Sequence, residues 1–164
     1  FSKSISDNLQ PKMDWLQTRL HLNKTALSKI ISAKPHILGY SVPDKMEITL
    51  NWLQNRLSLS NEGLSILIKN TPALLSYINL EPTLNFYVYA LGNNEEAVAL
   101  VIQNPTLLGY SLEKRLQPRL KEAVDAGLTV DAGSLQSIGQ LSNKKWKAYL
   151  DSKRKEPSGT EIHV

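Results

Sequence analysis

The sequence contains no cysteine, which excludes disulfides, thiolate zinc sites and a cysteine nucleophile. It also lacks any long apolar run. Its best stretches, such as 97–102 and the interrupted 64–68, fall far short of the roughly 20 residues that a bilayer span requires. Nothing at the N-terminus is Arg-rich or built around an apolar signal core, and the chain starts at Phe1; a processed form or a piece of something longer is expected. The three histidines, His21, His36 and His163, are scattered without carboxylates at metal-ligand spacing. A glycine-rich phosphate loop, a nucleophile elbow and a carboxylate pair placed by a repeat are missing as well. The expectation is a protein that is not an enzyme and carries no cofactor or metal. A further absence is local: residues 70–113 contain no Lys and no Arg.

What is present is enough for one ordinary domain or a short repeat array, with 164 residues of which 41% are apolar. The net charge of +4 is unevenly spread. Residues 1–69 carry 9 basic and 5 acidic groups, residues 70–113 none and 4, residues 114–155 10 and 4, and the last stretch adds Glu156 and Glu161. Two basic ends therefore flank an acidic middle.

Sliding the chain against itself by 37 residues lays 5–40 over 42–77 with 13 identities in 36 positions and no gap. Trp15/Trp52, Arg19/Arg56, Leu20/Leu57, Leu27/Leu64, Ile31/Ile68, Pro35/Pro72 and Tyr40/Tyr77 are among the matched residues. A third copy follows, with Pro105-Thr106-Leu107-Leu108-Gly109-Tyr110 answering 35–40 and 72–77. The shared unit is Pro-x-[Ile/Leu]-Leu-[Gly/Ser]-Tyr.

Apolar spacing inside a unit is helical: Met13, Leu16 and Leu20 form one stripe, Leu27, Ile30 and Ile31 another, with His21-Leu22-Asn23 between. Asn23, Ser60 and Asn93 or Asn94 are candidate caps for the second helix of their units, the last followed by Glu95 and Glu96. Pro35, Pro72 and Pro105 should stop those helices, and the leucine-type residues behind them should plug the gap between units. Pro11, Pro82 and Pro118, with Ile48 in the same slot, are expected at the starts of first helices. The third unit is shorter by four residues, one of them in the Leu91-Gly92-Asn93 connection. Units this small cannot bury an apolar face alone, so they must stack. The expected fold is all-α, an α-solenoid over residues 1–155 with units near 5–41, 42–78, 79–111 and 112–150, followed by a disordered tail at 156–164.

These residues resemble the mitochondrial transcription termination factor (mTERF) family, over about residues 5–150. The most specific stretch is 105–120, where Pro-Thr-Leu-Leu-Gly-Tyr runs into Ser-Leu-Glu-Lys-Arg-Leu-Gln-Pro-Arg-Leu. The resemblance implies a curved superhelix of units, each made of two antiparallel helices and a short 3₁₀ turn at Pro-x-Leu-Leu. It also implies nucleic-acid binding in mitochondria or chloroplasts, with roles in transcription termination, RNA processing or ribosome assembly.

Double-stranded DNA or structured RNA would then meet the basic ends. Lys12 and Arg19 lie seven apart on one helix face, Arg56 repeats Arg19, and Arg115 and Arg119 are four apart, each set able to point one way. With Lys114, Lys121, Lys144 and Lys145 they form the candidate binding set, against the plainer reading of solvated charges in local pairs such as Lys121/Asp125. The columns Trp15/Trp52/Phe86 and Tyr40/Tyr77/Tyr110 are expected to pack between units rather than stack on bases. Trp146, among Lys144, Lys145 and Lys147, either covers the last apolar face or joins a basic and aromatic surface. The competing function is a scaffold whose Lys/Arg-free central unit docks a ribosomal or RNA-processing protein.

Overall fold

The computed structural model describes residues 2–154, with side chains from residue 8 onward; the tail expected at 156–164 lies outside the described residues. Every regular element among the described residues is helical. The contacts divide the chain into two compact units, 1–78 and 79–164.

The first unit holds α1 (Ser2–Arg19), α2 (Lys24–Ala33), α3 (Glu47–Arg56) and α4 (Asn61–Asn70). The second holds α5 (Leu80–Leu91), α6 (Asn94–Gln103), α7 (Gln117–Asp125), α8 (Ala132–Gln140) and α9 (Asn143–Arg154). The helices pair as α1 with α2, α3 with α4, α5 with α6 and α7 with α8, and each pair is joined in the same way. A residue in the left-handed region follows the first helix: His21 at φ 51°, Ser58 at 54°, Gly92 at 67° and Gly127 at 75°. In three pairs the chain then turns back with a leucine N–H on a carbonyl five residues earlier: Leu22 on Gln17, Leu59 on Gln54 and Leu128 on Ala123. This is the helix-ending turn that glycine favours, because a Cβ there clashes with backbone. The α5–α6 connection is one residue shorter and lacks that leucine; Gly92 instead donates to Val88.

That repeated conformation carries a stability prediction. A Cβ on Gly92 would meet nothing within 4 Å, so only the left-handed backbone penalises it, and Gly92→Ala should cost about 1 kcal/mol. Ser58 already bears that penalty, and Ser58→Gly should gain a few tenths, because the extra freedom of glycine in the unfolded chain offsets part of the relief. Urea midpoints of the two variants should therefore move in opposite directions.

Second helices open on side-chain caps. Asn23 accepts from the Ala26 N–H, Ser60 from Gly63, Asn93 from Glu96, and Asp131 exchanges a reciprocal pair with Ser134. Three of them stop two residues short of a proline. The residues in between, Lys34, Thr71 and Asn104, sit at φ near −143°, −137° and −133°, driven out of the helical region by the following ring. The segments Pro35–Gly39, Pro72–Ser76 and Pro105–Gly109 then form 3₁₀ turns. They bury Ile37, Leu74 with Leu75, and Leu107 with Leu108, so both leucine-type residues fill the core in the second and third turns, while in the first Ile37 does so beside a half-buried Leu38.

The proline column departs from expectation at one of its three positions, since Pro118 as well as Pro82 stands in the first turn of its helix. Pro82 lies in the first turn of α5. Pro11, however, is inside α1, where it withdraws the N–H owed to the carbonyl four residues earlier. Pro118 follows a wide turn at Leu112–Leu116, in which the N–H groups of Leu116 and Gln117 reach back five residues to Ser111 and Leu112. That widening precedes the ring and shifts the carbonyls a normal helix would set against it. The same wide turn at Val42–Met46 leads into α3, and Ser41 and Ser111 cap the two.

Buried rows confirm the helical spacing. Leu16, Leu53, Tyr87 and Ala123 share one position of the first helices, and all are buried. Phe86 is buried beside Tyr87, whereas Trp15 and Trp52 are half-buried. At Gly139 of α8 a Cβ would sit 2.6 Å from Leu107 Cδ2 and 3.1 Å from the Tyr110 ring; a bare backbone is needed for that approach.

Candidate nucleic-acid interface

In the first unit two of the predicted cations, Arg19 and Lys12, are tied into the fold. Arg19, on the last turn of α1, donates to three residues of α3: Nε to Glu47 Oε1 at 3.3 Å, and Nη2 to Asn51 Oδ1 at 3.0 Å and Gln54 Oε1 at 3.1 Å. Those acceptors fall at i, i+4 and i+7 on one face. The Arg19–Glu47 pair is part-exposed, so the network fixes helix geometry more than it stabilises. Lys12 donates through Nζ to the Leu38 carbonyl at 3.0 Å. Lys45, which was not a predicted site residue, donates to the Tyr77 carbonyl, and burial holds its ammonium below the usual lysine range. Arg56 is half-buried on α3, while Lys24, Lys29 and Lys69 are exposed.

The second unit draws Arg115 and Arg119 inward more completely. Arg115 Nη1 donates to the Gly139 carbonyl at 2.9 Å, and its guanidinium lies 5.0 Å over the Tyr110 ring. Arg119 is 5% exposed. Its Nη1 donates to the carbonyls of Ile138 at 2.8 Å and Leu141 at 2.7 Å, and its Nη2 to Asn143 Oδ1 at 2.8 Å. Its guanidinium also lies 5.5 Å from the Trp146 ring. Burial, then the neighbouring Arg115, pull its pKa down; Glu122 and Tyr110 oppose them.

Repeat position explains this. Counting one residue past the proline column, Lys12, Thr49, Thr83 and Arg119 are equivalent, and Thr49, Thr83 and Arg119 are all buried. The position faces inward, so a cation placed there meets backbone carbonyls left open near the end of the second helix. From Lys12 the long arm reaches the Leu38 carbonyl in the turn after α2, and from Arg119 the carbonyls of Ile138 and Leu141 at the end of α8.

Trp146 is buried under α7's flank, its Nε1 donating to Glu122 Oε2 at 2.6 Å and its ring stacked on Tyr149. Glu122 occupies in α7 the place that Trp15, Trp52 and Phe86 hold in the other first helices. The aromatic group absent from α7 thus arrives from α9, and Trp146 covers an apolar face.

The remaining predicted cations are on the surface. Lys121 is exposed and paired with Asp125 at 2.5 Å, whose hydrogen bond and charge raise its pKa. Lys114, at the wide turn, and Lys144 and Lys145, on α9, are exposed and make no ion pair among the described residues. Sequence reasoning did not single out Lys147 and Arg154 as site residues. Both line a groove of about 570 Å³ between the start of α7 and α9, together with Lys114, Pro118, Trp146 and Leu150. The signal was available: Lys147, Asp151 and Arg154 recur at helical spacing beside Trp146 and Leu150.

A family model, mTERF, matches residues 1–147. The chain belongs to the mTERF family. The match takes in all three Pro-x-[Ile/Leu]-Leu turns, and the helical-repeat solenoid of that family agrees with a chain whose described residues form helices and turns only. No match was found among curated proteins. Among the described residues no three His, Asp or Glu side chains converge as a metal site would need, and no helix is long and apolar enough to cross a membrane.

Proposed function

We propose that this mTERF chain is an organellar nucleic-acid-binding protein that works without catalysis, by contact with the phosphate backbone and recognition of shape. Mitochondrion is favoured over chloroplast. The tasks in view are transcription termination, RNA processing or ribosome assembly. The observation that carries the reading is the set of exposed cations in the second unit, Lys114, Lys144, Lys145, Lys147 and Arg154, which no described carboxylate pairs. Arg19, Lys12, Arg115 and Arg119 support the surface from within rather than present it.

Salt titration tests this. Five phosphate contacts to a duplex give a slope of log affinity on log salt of about −4, so affinity should fall more than a hundredfold between about 50 and 200 mM salt. Lys144→Gln with Lys145→Gln should lower that slope by about 2. Absence of binding to duplex DNA and structured RNA at the lower salt would overturn the proposal.

A scaffold role has one observation of its own: Tyr89 of α5 is 85% exposed, and Glu95 and Glu96 stand exposed at the start of α6. A basic organellar ribosomal or RNA-processing protein is the partner that chemistry fits.

A further inference from the structure

The geometry points to the α7–α9 groove as a site for an unpaired nucleotide of single-stranded nucleic acid, its phosphates on Lys114, Lys147 and Arg154 and its base on the apolar floor. This rests on the nucleic-acid reading above and gives it a location and a strand type.

The groove has two walls of different origin. Lys114 stands on one, at the wide turn leading into α7, where the Ser111 cap fixes the backbone. Lys147 and Arg154 stand on the other, seven residues apart and so about 10 Å along α9. Between them the floor is the exposed Pro118, with the largely buried Leu150 and Trp146 beneath it. The other charged groups at the floor are already engaged. Glu122 accepts from the Trp146 indole, and Arg119 is bonded to two carbonyls and Asn143. Arg119 is thus occupied, while the exposed Glu122 keeps its negative charge, so the groove presents three cations against Glu122 and Asp151.

A cationic rim over an apolar floor is the chemistry that single strands use, the backbone tracking positive side chains while a base lies on an apolar or aromatic platform. The size agrees, because sites for small organic groups span about 300–1,000 Å³. A duplex keeps its bases stacked inside, so it can use the rim and leave the floor empty. Phosphate attraction alone would give the rim without the floor; the combination selects an unpaired nucleotide.

The test is fluorescence anisotropy of the full chain with a fluorescent oligo-dT, an oligo-U and a mixed-sequence duplex over a salt series. Each single-strand phosphate contact contributes about 0.7 to the slope. The variant Lys114→Gln/Lys147→Gln/Arg154→Gln should thus lose about 2 from the single-strand slope and about a hundredfold in affinity near 0.1 M salt. Duplex affinity should fall at least as much, since a duplex uses the same rim. The floor is read instead from an abasic deoxyribose-phosphate strand of equal length, which keeps the phosphates, has no base to lay there and should bind the parent about tenfold more weakly than oligo-dT. The three side chains are exposed and the far-UV spectrum should not change; Lys114→Arg/Lys147→Arg keeps the charge and should bind like the parent. Equal affinity of the parent for the abasic strand and oligo-dT would overturn the unpaired-nucleotide site in favour of a plain phosphate rim. No fall for either, with parental binding intact, would overturn the groove and leave the proposed function standing. No binding by the parent would remove both. A preference between oligo-dT and oligo-U, lost in the triple variant, would assign the strand to DNA or RNA.

Discussion

Arg119→Ala is expected to destabilise the second unit by about 3–5 kcal/mol. The substitution strips partners from the carbonyls of Ile138 and Leu141 and from Asn143, all within 2.8 Å of the guanidinium. The buried bond to Ile138 leaves an open acceptor that costs about 1–3 kcal/mol, the two part-buried ones cost less, and the packing of the buried arm is lost as well. It also removes the cation beside the Trp146 ring, worth a further fraction of that. Arg119→Lys should recover only part of the loss, since one ammonium cannot reproduce a planar fork holding three acceptors. The measurement is the urea midpoint of the far-UV circular dichroism signal, read beside nucleic-acid affinity. A phosphate-binding Arg119 would give the reverse pattern: an unchanged midpoint, weakened binding, and rescue by lysine. The structural role predicts a shifted midpoint with residual binding wherever the chain remains folded.

Arg119 also shows where sequence reading stops. The repeat could be found because its punctuation is chemical: prolines end α2, α4 and α6, Asn or Ser caps begin them, and Leu16, Leu53 and Tyr87 keep one buried row. Those features act locally, within a turn or two of helix, and so leave a mark in spacing. The direction of a cation depends instead on which carbonyls the fold leaves open nearby. Arg115 and Arg119, four apart, looked like a phosphate-facing pair, yet Arg119 shares its repeat position with Thr49 and Thr83, and a row of threonines between apolar rows was the available sign of an inward face. Arg19 recurs at Arg56, which suggested a series along one backbone; the acceptors Glu47, Asn51 and Gln54 that hold it come from a different repeat and are not visible by comparing α1 with α3. The wide turns at 42–46 and 112–116 left no signal at all, since nothing in residue type separates a five-residue hydrogen bond from a four-residue one. Trp146 was read as one of two alternatives and proves to be the cover, because Glu122 stands where other first helices carry an aromatic ring.

Tyr87 offers the second large effect, and it depends on pH. The ring is fully buried, and its hydroxyl donates to the Leu107 carbonyl at 3.0 Å, tying α5 to the Pro105–Gly109 turn. Burial, with a smaller contribution from Tyr110, drives its pKa far above the ordinary tyrosine value. In the unfolded chain the phenol ionises near pH 10. Above that pH the unfolded state sheds a proton that the folded state keeps, so stability is lost as pH rises, by about 1.4 kcal/mol per unit. Lys45 acts in the opposite sense: its folded pKa is lowered, and rising pH relieves a penalty on its charged form. Comparing the parent with Tyr87→Phe cancels Lys45 and every other group. At pH 8 the parent should be more stable by about 1 kcal/mol, the worth of one buried hydrogen bond. The difference should vanish near about pH 11 and reverse above it. Tyr87→Ala should cost about 3–5 kcal/mol at pH 8, since it opens a cavity in the core as well. A parent and Tyr87→Phe pair whose urea midpoints keep a constant separation from pH 8 to pH 11.5 would show that the phenol is not held neutral by the fold.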